Sequence, residues 1–455
     1  MRSHYHSMIR SIAAALLLVG CDTSVTNPGL TPDEALDKPE AWAADVVGAR
    51  RALADAFGSS ATNGGQILYW GATVSFEINP AGSTGSFGIP PNVQVGILND
   101  ATASADWSSA NQARFVAEDA VRRFKKAMPD TLFRKSTYVA QAYLYAGYAN
   151  RMLGENFCQS VIPVVNADGS LAPGSLGVHT LYLQRADTAF TNALQVATTA
   201  SLTPFIRAAT MGRASVRAYL ASYGKATWAS AAADAATIAD TVTFLVPYSA
   251  ASSDQYNYLY WARANSPYRA HTQWGTFYEL YYRSTAKRDT RAAWDSTALK
   301  GDAAVTKFGG LVPFWPEAKY KATGDPVRLS SGWEMRLIRA EAALAAGDTA
   351  TASAQMNLRR TALGLPAITF ANLTGAWTAL KTERALELWL EARRLGDLRR
   401  WIENNVPGDP PDGLYRDTNN DGVNDARTET MTAPTARSLC YAVGRNEKET
   451  NPNLR

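Results

Sequence analysis

Asp417, Asn419, Asp421 and Asp425 place side-chain oxygens at positions 1, 3, 5 and 9 of one loop, with Gly422 at position 6. Calcium loops use this spacing to wrap a hard cation, and glycine permits the sharp turn. The usual bidentate glutamate at position 12 is replaced by Thr428, with Glu429 one step late. Two readings stand: a structural calcium ion, or a polar loop closed by its own Asx turns. Catalytic constellations are absent. Beyond the first 21 residues the only histidines are His179 and His271, and no HExxH, GxSxG or P-loop pattern occurs. Glu383 and Glu387 could mimic a two-carboxylate glycosidase pair. Carboxylate pairs occur in every chain of this size, and these two sit in a helix better explained by packing. We therefore expect no enzyme, and no cofactor beyond a possible calcium ion.

The aromatic residues point to binding. Between about 245 and 326 lie Tyr256, Tyr258, Tyr260, Trp261, Tyr268, Trp274, Phe277, Tyr278, Tyr281, Tyr282, Trp294, Phe314 and Trp315, far denser than the chain's 10% average. Ring faces stack on the apolar faces of sugars, and loops on a rigid scaffold are where binding residues gather. The competing reading is core, because Tyr and Trp bury large areas whatever the function; about two thirds of these rings are expected there. The candidates for a platform are Tyr258, Trp261, Trp274 and Tyr278, with Tyr69, Trp70 and Trp107 from the N-terminal loops.

The first 20 residues read as a targeting segment. Arg2 and Arg10 precede a short apolar run, residues 12–19, and Leu18-Val19-Gly20-Cys21 resembles a bacterial lipobox. Processing would leave Cys21 as a lipidated N-terminus on a polar tether, residues 21–38, and several acyl chains suffice for stable anchoring. Asp22 leaves the destination membrane open. Cys158 and Cys440 remain to pair in an oxidising compartment, although sequence does not show whether they are close enough. The chain carries 45 Lys and Arg against 41 Asp and Glu, a net +4 that is too small and dispersed to argue for nucleic acid.

These residues need a frame, and the pattern is mainly α. The periodicity predicts a helix over 40–57 and others over 107–126 and 135–153. The Gly, Ser, Asn and Pro-rich stretch 58–98 reads as loops with a short strand pair. Residues 138–154, 213–233 and 334–354 form a loose repeat resembling tetratricopeptide units, whose small residues let paired helices nest. The helical repeats run over about 107–240 and 327–402, and the loop-rich insertions over about 58–98 and 245–326, within one domain of residues 39–455. Residues 333–363 read as a helical hairpin broken at Gly347-Asp348. Residues 377–401 read as one long helix, with Glu391–Arg394, Arg394–Asp397 and Arg393–Asp397 spaced to pair along it.

Glu383-Arg384, Glu387-Leu388, Glu391, Arg394 and Asp397-Leu398-Arg399-Arg400-Trp401 resemble the closing helix of the SusD/RagB family of outer-membrane nutrient-binding lipoproteins. Arg339-Ala340-Glu341-Ala342 before Gly347-Asp348 resembles the repeat that precedes it. Gly154-Glu155-Asn156 with Pro163, and Asn451-Pro452-Asn453-Leu454, are similar to further landmarks. The chain departs from the pattern at Ala392, where Gly is common, and at Leu395-Gly396, where aromatics are common. The resemblance covers almost all of the chain after the leader and is most specific over 327–401. It implies a tetratricopeptide-like scaffold at the outer membrane, facing outward. There it would capture an oligosaccharide, or else a peptide, for a TonB-dependent, SusC-like transporter. An interaction scaffold without a small ligand is the reading from a different class.

Overall fold

The computed structural model describes residues 33–58, 65–82, 88–166, 170–264, 268–283 and 288–455. The leader, Cys21 and most of the tether lie outside the described residues. The N-terminal scaffold comprises α1 (Trp42–Gly58), α2 (Ile67–Val74), α3 (Asp100–Ala127), α4 (Thr137–Asn156), α5 (Thr180–Thr199), α6 (Thr203–Ser222) and α7 (Trp228–Ala236). From α3 onward each helix packs on the next, with α1 against α3. Their facing sides are rich in Ala and Gly, so backbones approach closely. Phe190 of α5 uses this space: a Cβ at Gly147 or Gly212 would stand 2.6 or 2.4 Å from its ring. The ring thus fills a slot cut from two neighbouring helices.

Short antiparallel pairs tie the loops down. β1 (Asn79–Pro80) pairs with β5 (His271–Thr272), β2 (Gln159–Val161) with β3 (Leu176–Val178), and β4 (Thr243–Val246) with β6 (Val327–Ser331). The stretch 58–98 is therefore not simply loop. It holds α2, which is buried on nearly every side, and its strand pairs with residues far along the chain. A helix apolar all round shows no amphipathic period, which is why the sequence hides it. In the aromatic insertion, α8 (Tyr258–Ala264) and α9 (Phe277–Arg283) are single short helices. Cys158 and Cys440 are joined by a disulfide with Cα atoms 5.1 Å apart.

The closing segment begins with α10 (Gly332–Ala345) and α11 (Thr349–Ala362), a hairpin that turns at Gly347 with φ +79°. Ser331 and Asp348 cap the two helices, accepting from the N–H groups of Glu334 (3.2 Å) and Thr351 (2.9 Å). The expected single helix over 377–401 is instead two, α12 (Leu373–Glu387) and α13 (Arg394–Glu403). Between them Leu390 and Ala392 adopt φ +55° and +57°, the left-handed region. The break is held by distant residues. The Leu390 N–H donates to the Glu77 carboxylate at 2.8 Å, and the Trp389 indole N–H to the Glu77 carbonyl at 3.2 Å. The Tyr320 hydroxyl donates to the Leu390 carbonyl at 2.7 Å.

The break redirects the charges. They do not pair along one helix as the spacing suggests. Glu391 meets Lys319 and Arg328, Arg393 meets Glu155 (2.9 Å) and Glu334 (2.8 Å), and Arg400 meets Glu341 (2.6 Å). Glu391, Arg393 and Arg400 are each at least nine-tenths buried, so the network is interior rather than half-solvated. Gly396 allows α13 to approach α4, because a Cβ there would lie 2.9 Å from the Glu155 carbonyl oxygen. An aromatic side chain has no room at that position.

Candidate ligand-binding site

Asn257, fully buried, starts α8. Its side chain donates to the Asp325 carbonyl at 2.9 Å, and its backbone carbonyl accepts from the Trp261 N–H at 3.0 Å. Two residues of this helix, Tyr258 and Trp261, join a ladder of rings: His271 to Tyr69 (5.4 Å), Tyr69 to Tyr258 (5.4 Å), Tyr258 to Trp261 (5.5 Å) and Trp261 to Tyr268 (5.3 Å). The inner rungs are interior, and burial pushes the Tyr69 and Tyr258 hydroxyls well above their ordinary range. Trp261 and Tyr268, at the outer end, are half-buried.

A second group gathers at Trp274, just past the strand His271–Thr272. Trp274 meets Phe308 edge-on at 5.6 Å, and the Arg416 guanidinium lies 4.4 Å from the centre of the Trp274 ring. In a third group Trp294 and Trp315 stack at 5.2 Å, and Arg283 lies 4.8 Å from the Trp315 ring. The stretch 268–276 links the three. Tyr268 belongs to the first, Trp274 to the second, and the Gln273 N–H donates to the Trp315 carbonyl at 2.7 Å.

Four of the seven platform candidates are corrected. Tyr69, Trp107, Tyr258 and Tyr278 are each no more than 3% exposed and serve the core. Tyr278 stacks on Trp389 at 5.1 Å, and Trp107 packs on Phe157 while its N–H donates to Glu447. Trp70, Trp261 and Trp274 are half-buried and keep accessible surface. Sequence reasoning did not select Tyr268, Trp315, Arg283 or Arg416. The aromatic density included the first two, but nothing local marked which rings face outward or which cations reach them.

Of the proposed calcium ligands, Asp417, Asn419 and Asp421 share one turn. The Asp417 carboxylate accepts from the N–H groups of Asp421 (3.1 Å) and Gly422 (2.8 Å), and Asp421 accepts from the Val423 N–H at 2.8 Å. Asp425 makes none of these bonds, and Glu429 instead pairs with Lys307 and Arg437. Among the described residues, no group of three or more His, Cys, Asp or Glu is placed to hold a metal. The loop docks on the insertion, with the Asn424 amide donating at 3.0 Å to Glu279, a buried carboxylate that also accepts from the Gly275 N–H.

Residues 244–453 match the family model described as SusD family. Over that stretch the chain is similar to the SusD family. Solved SusD structures share its fold. A SusD superfamily protein from Bacteroides vulgatus ATCC 8482 is 14% identical, with TM-score 0.63 over 91% of this chain and 98% of that one. A SusD-like carbohydrate binding protein from the same organism is also 14% identical, with TM-score 0.60 over 91% and 96%. Surface glycan-binding protein A from Bacteroides uniformis is 15% identical, with TM-score 0.62 over 92% and 99%. No curated protein matches. Among the described residues no helix is long and apolar enough to cross a membrane.

Proposed function

We propose that this chain is a SusD-family, cell-surface glycan-capture protein, anchored through Cys21, that hands oligosaccharide to a TonB-dependent transporter. The observation carrying this reading is the set of half-buried rings, Trp261, Tyr268, Trp274 and Trp315, fixed around one stretch of backbone. Rings held by core neighbours present flat faces at little entropic cost, which suits stacking on sugars. Several half-buried rings along one stretch suit an extended oligomer rather than a small enclosed ligand. The related SusD-like carbohydrate binding protein and the surface glycan-binding protein support the same class. Exposed aliphatic side chains at Val164, Val165, Leu176 and Val178, beside the disulfide, offer apolar surface that a protein partner would cover. The role assigned is binding, not catalysis.

The test is calorimetric titration of the protein lacking residues 1–21 with neutral oligosaccharides and with peptides. Saturable sugar binding that weakens about tenfold, equivalent to about 1.4 kcal/mol, in Trp261→Ala or Trp274→Ala supports glycan capture. Saturable peptide binding without sugar binding replaces the glycan with a peptide. Silence in both arms moves the assignment to an interaction scaffold.

A further inference from the structure

A cavity of about 370 Å³ is lined by Arg291, Lys319, Lys321, Arg328 and Arg359, against only two carboxylates, Glu387 and Glu391. Glu387 draws three guanidiniums from three segments. Arg359 Nε donates to it at 2.8 Å, Arg328 Nη1 at 3.1 Å and Arg291 Nη1 at 3.4 Å. Glu391 takes Lys319 at 2.6 Å and Arg328 at 2.8 Å.

Arg291 is also met by Asp289 and Glu383, so its charge is balanced from outside the cavity. Asp325, beside Lys321, accepts from the Lys321 and Ala322 N–H groups. Setting Arg291 aside, four lining cations face two carboxylates, a surplus of two positive charges. Two donors are uncommitted: Arg359 uses Nε and Nη2 on Glu387 but not Nη1, and the Lys321 side chain has no partner among the described residues. Arg359 is itself braced, with its guanidinium 4.6 Å from the centre of the Trp333 ring. A cation held in place beside a free ammonium is prepared for a planar or tetrahedral oxyanion.

We propose that this cavity binds an oxyanion group, a carboxylate, sulfate or phosphate, carried on a sugar-sized ligand. Its volume exceeds that of a bare anion and lies within the range of small-molecule sites, about 300–1,000 Å³. The site is separate from the aromatic platform and does not depend on the function assigned there.

Inorganic sulfate is the probe, titrated at constant ionic strength against chloride and followed by tryptophan fluorescence, with Trp333 as the local reporter, and by calorimetry. Saturable binding that weakens about tenfold in Lys321→Ala, and again in Arg359→Gln, is expected. Lys321 is exposed, so its variant keeps the fold and an unchanged Tm. Sulfate that does not saturate, or that binds Lys321→Ala and the parent equally, overturns the proposal. Oligogalacturonide, a sulfated oligosaccharide and a sugar phosphate then identify the source of the anion. If none of them binds better than its neutral counterpart, the sugar-borne ligand is excluded and the proposal falls. Neutral-glycan binding is read in parallel. Its absence would refute the platform while leaving a positive sulfate result standing.

Discussion

Arg384 and Asp397 face each other across the break between α12 and α13 in a two-point ion pair, Nε to Oδ2 at 2.9 Å and Nη2 to Oδ1 at 3.0 Å. Burial alone would raise the Asp397 carboxyl. Arg384 and Arg400 overcome that and hold it below the ordinary carboxylate range. Removing one partner leaves a buried charge unmet, so Asp397→Asn should cost about 3–5 kcal/mol. Urea unfolding measures it. A loss below about 1 kcal/mol would mean that Arg384 finds another partner or water.

Ala392 carries a side chain where the backbone favours glycine, and it is 5% exposed at φ +57°. A left-handed alanine costs roughly 1–2 kcal/mol, and glycine gives back part of that through its freer unfolded chain. Ala392→Gly should therefore be neutral to stabilising by about 0.5 kcal/mol, and Ala392→Val should destabilise by more than about 1 kcal/mol. A stability curve in which Gly is much worse than Ala would show that the methyl group's packing outweighs the strain.

His179 is lowered to about 3, first by burial and then by Arg399, whose Nη2 lies 2.7 Å from Nδ1. The folded ring must stay neutral while the unfolded ring protonates near 6.5. Its contribution is therefore whole above pH 6.5 and is lost as pH falls toward 3. Glu77 and Asp106, each raised to about 7 by burial, work in the opposite sense: their contribution shrinks as pH rises from the ordinary carboxylate range to 7. The difference between parent and His179→Gln isolates the histidine. Tm measured from about pH 7.5 to about pH 4 should fall less steeply in the variant, and parallel curves would refute the assignment.

The 417–425 turn is closed by its own carboxylate-to-amide bonds. We expect Asp417→Ala to lower Tm by a few degrees, the loss of one or two hydrogen bonds at about 1 kcal/mol each. Calcium should leave the parent Tm unchanged. A rise with millimolar calcium that a chelator reverses would restore the ion.

Much of the scaffold is legible along the chain. The hairpin of α10 and α11, its turn at Gly347 and the small-residue helix faces follow from neighbours three and four apart, which determine local pitch and packing side. The family resemblance over 327–401 is also local, because it is carried by residue types at fixed spacing. Tertiary structure decided the rest. Leu390 turns left-handed because Glu77, 313 residues away, takes its N–H. Arg393 leaves Asp397, four residues on, for Glu155 and Glu334. Tyr258 is core and Trp261 only half-buried although they are three apart, and Tyr69, which packs edge-on against Tyr258, arrives from a segment nearly 200 residues earlier. Side-chain period records what repeats along the chain, whereas burial and ion pairing depend on what arrives from elsewhere in it.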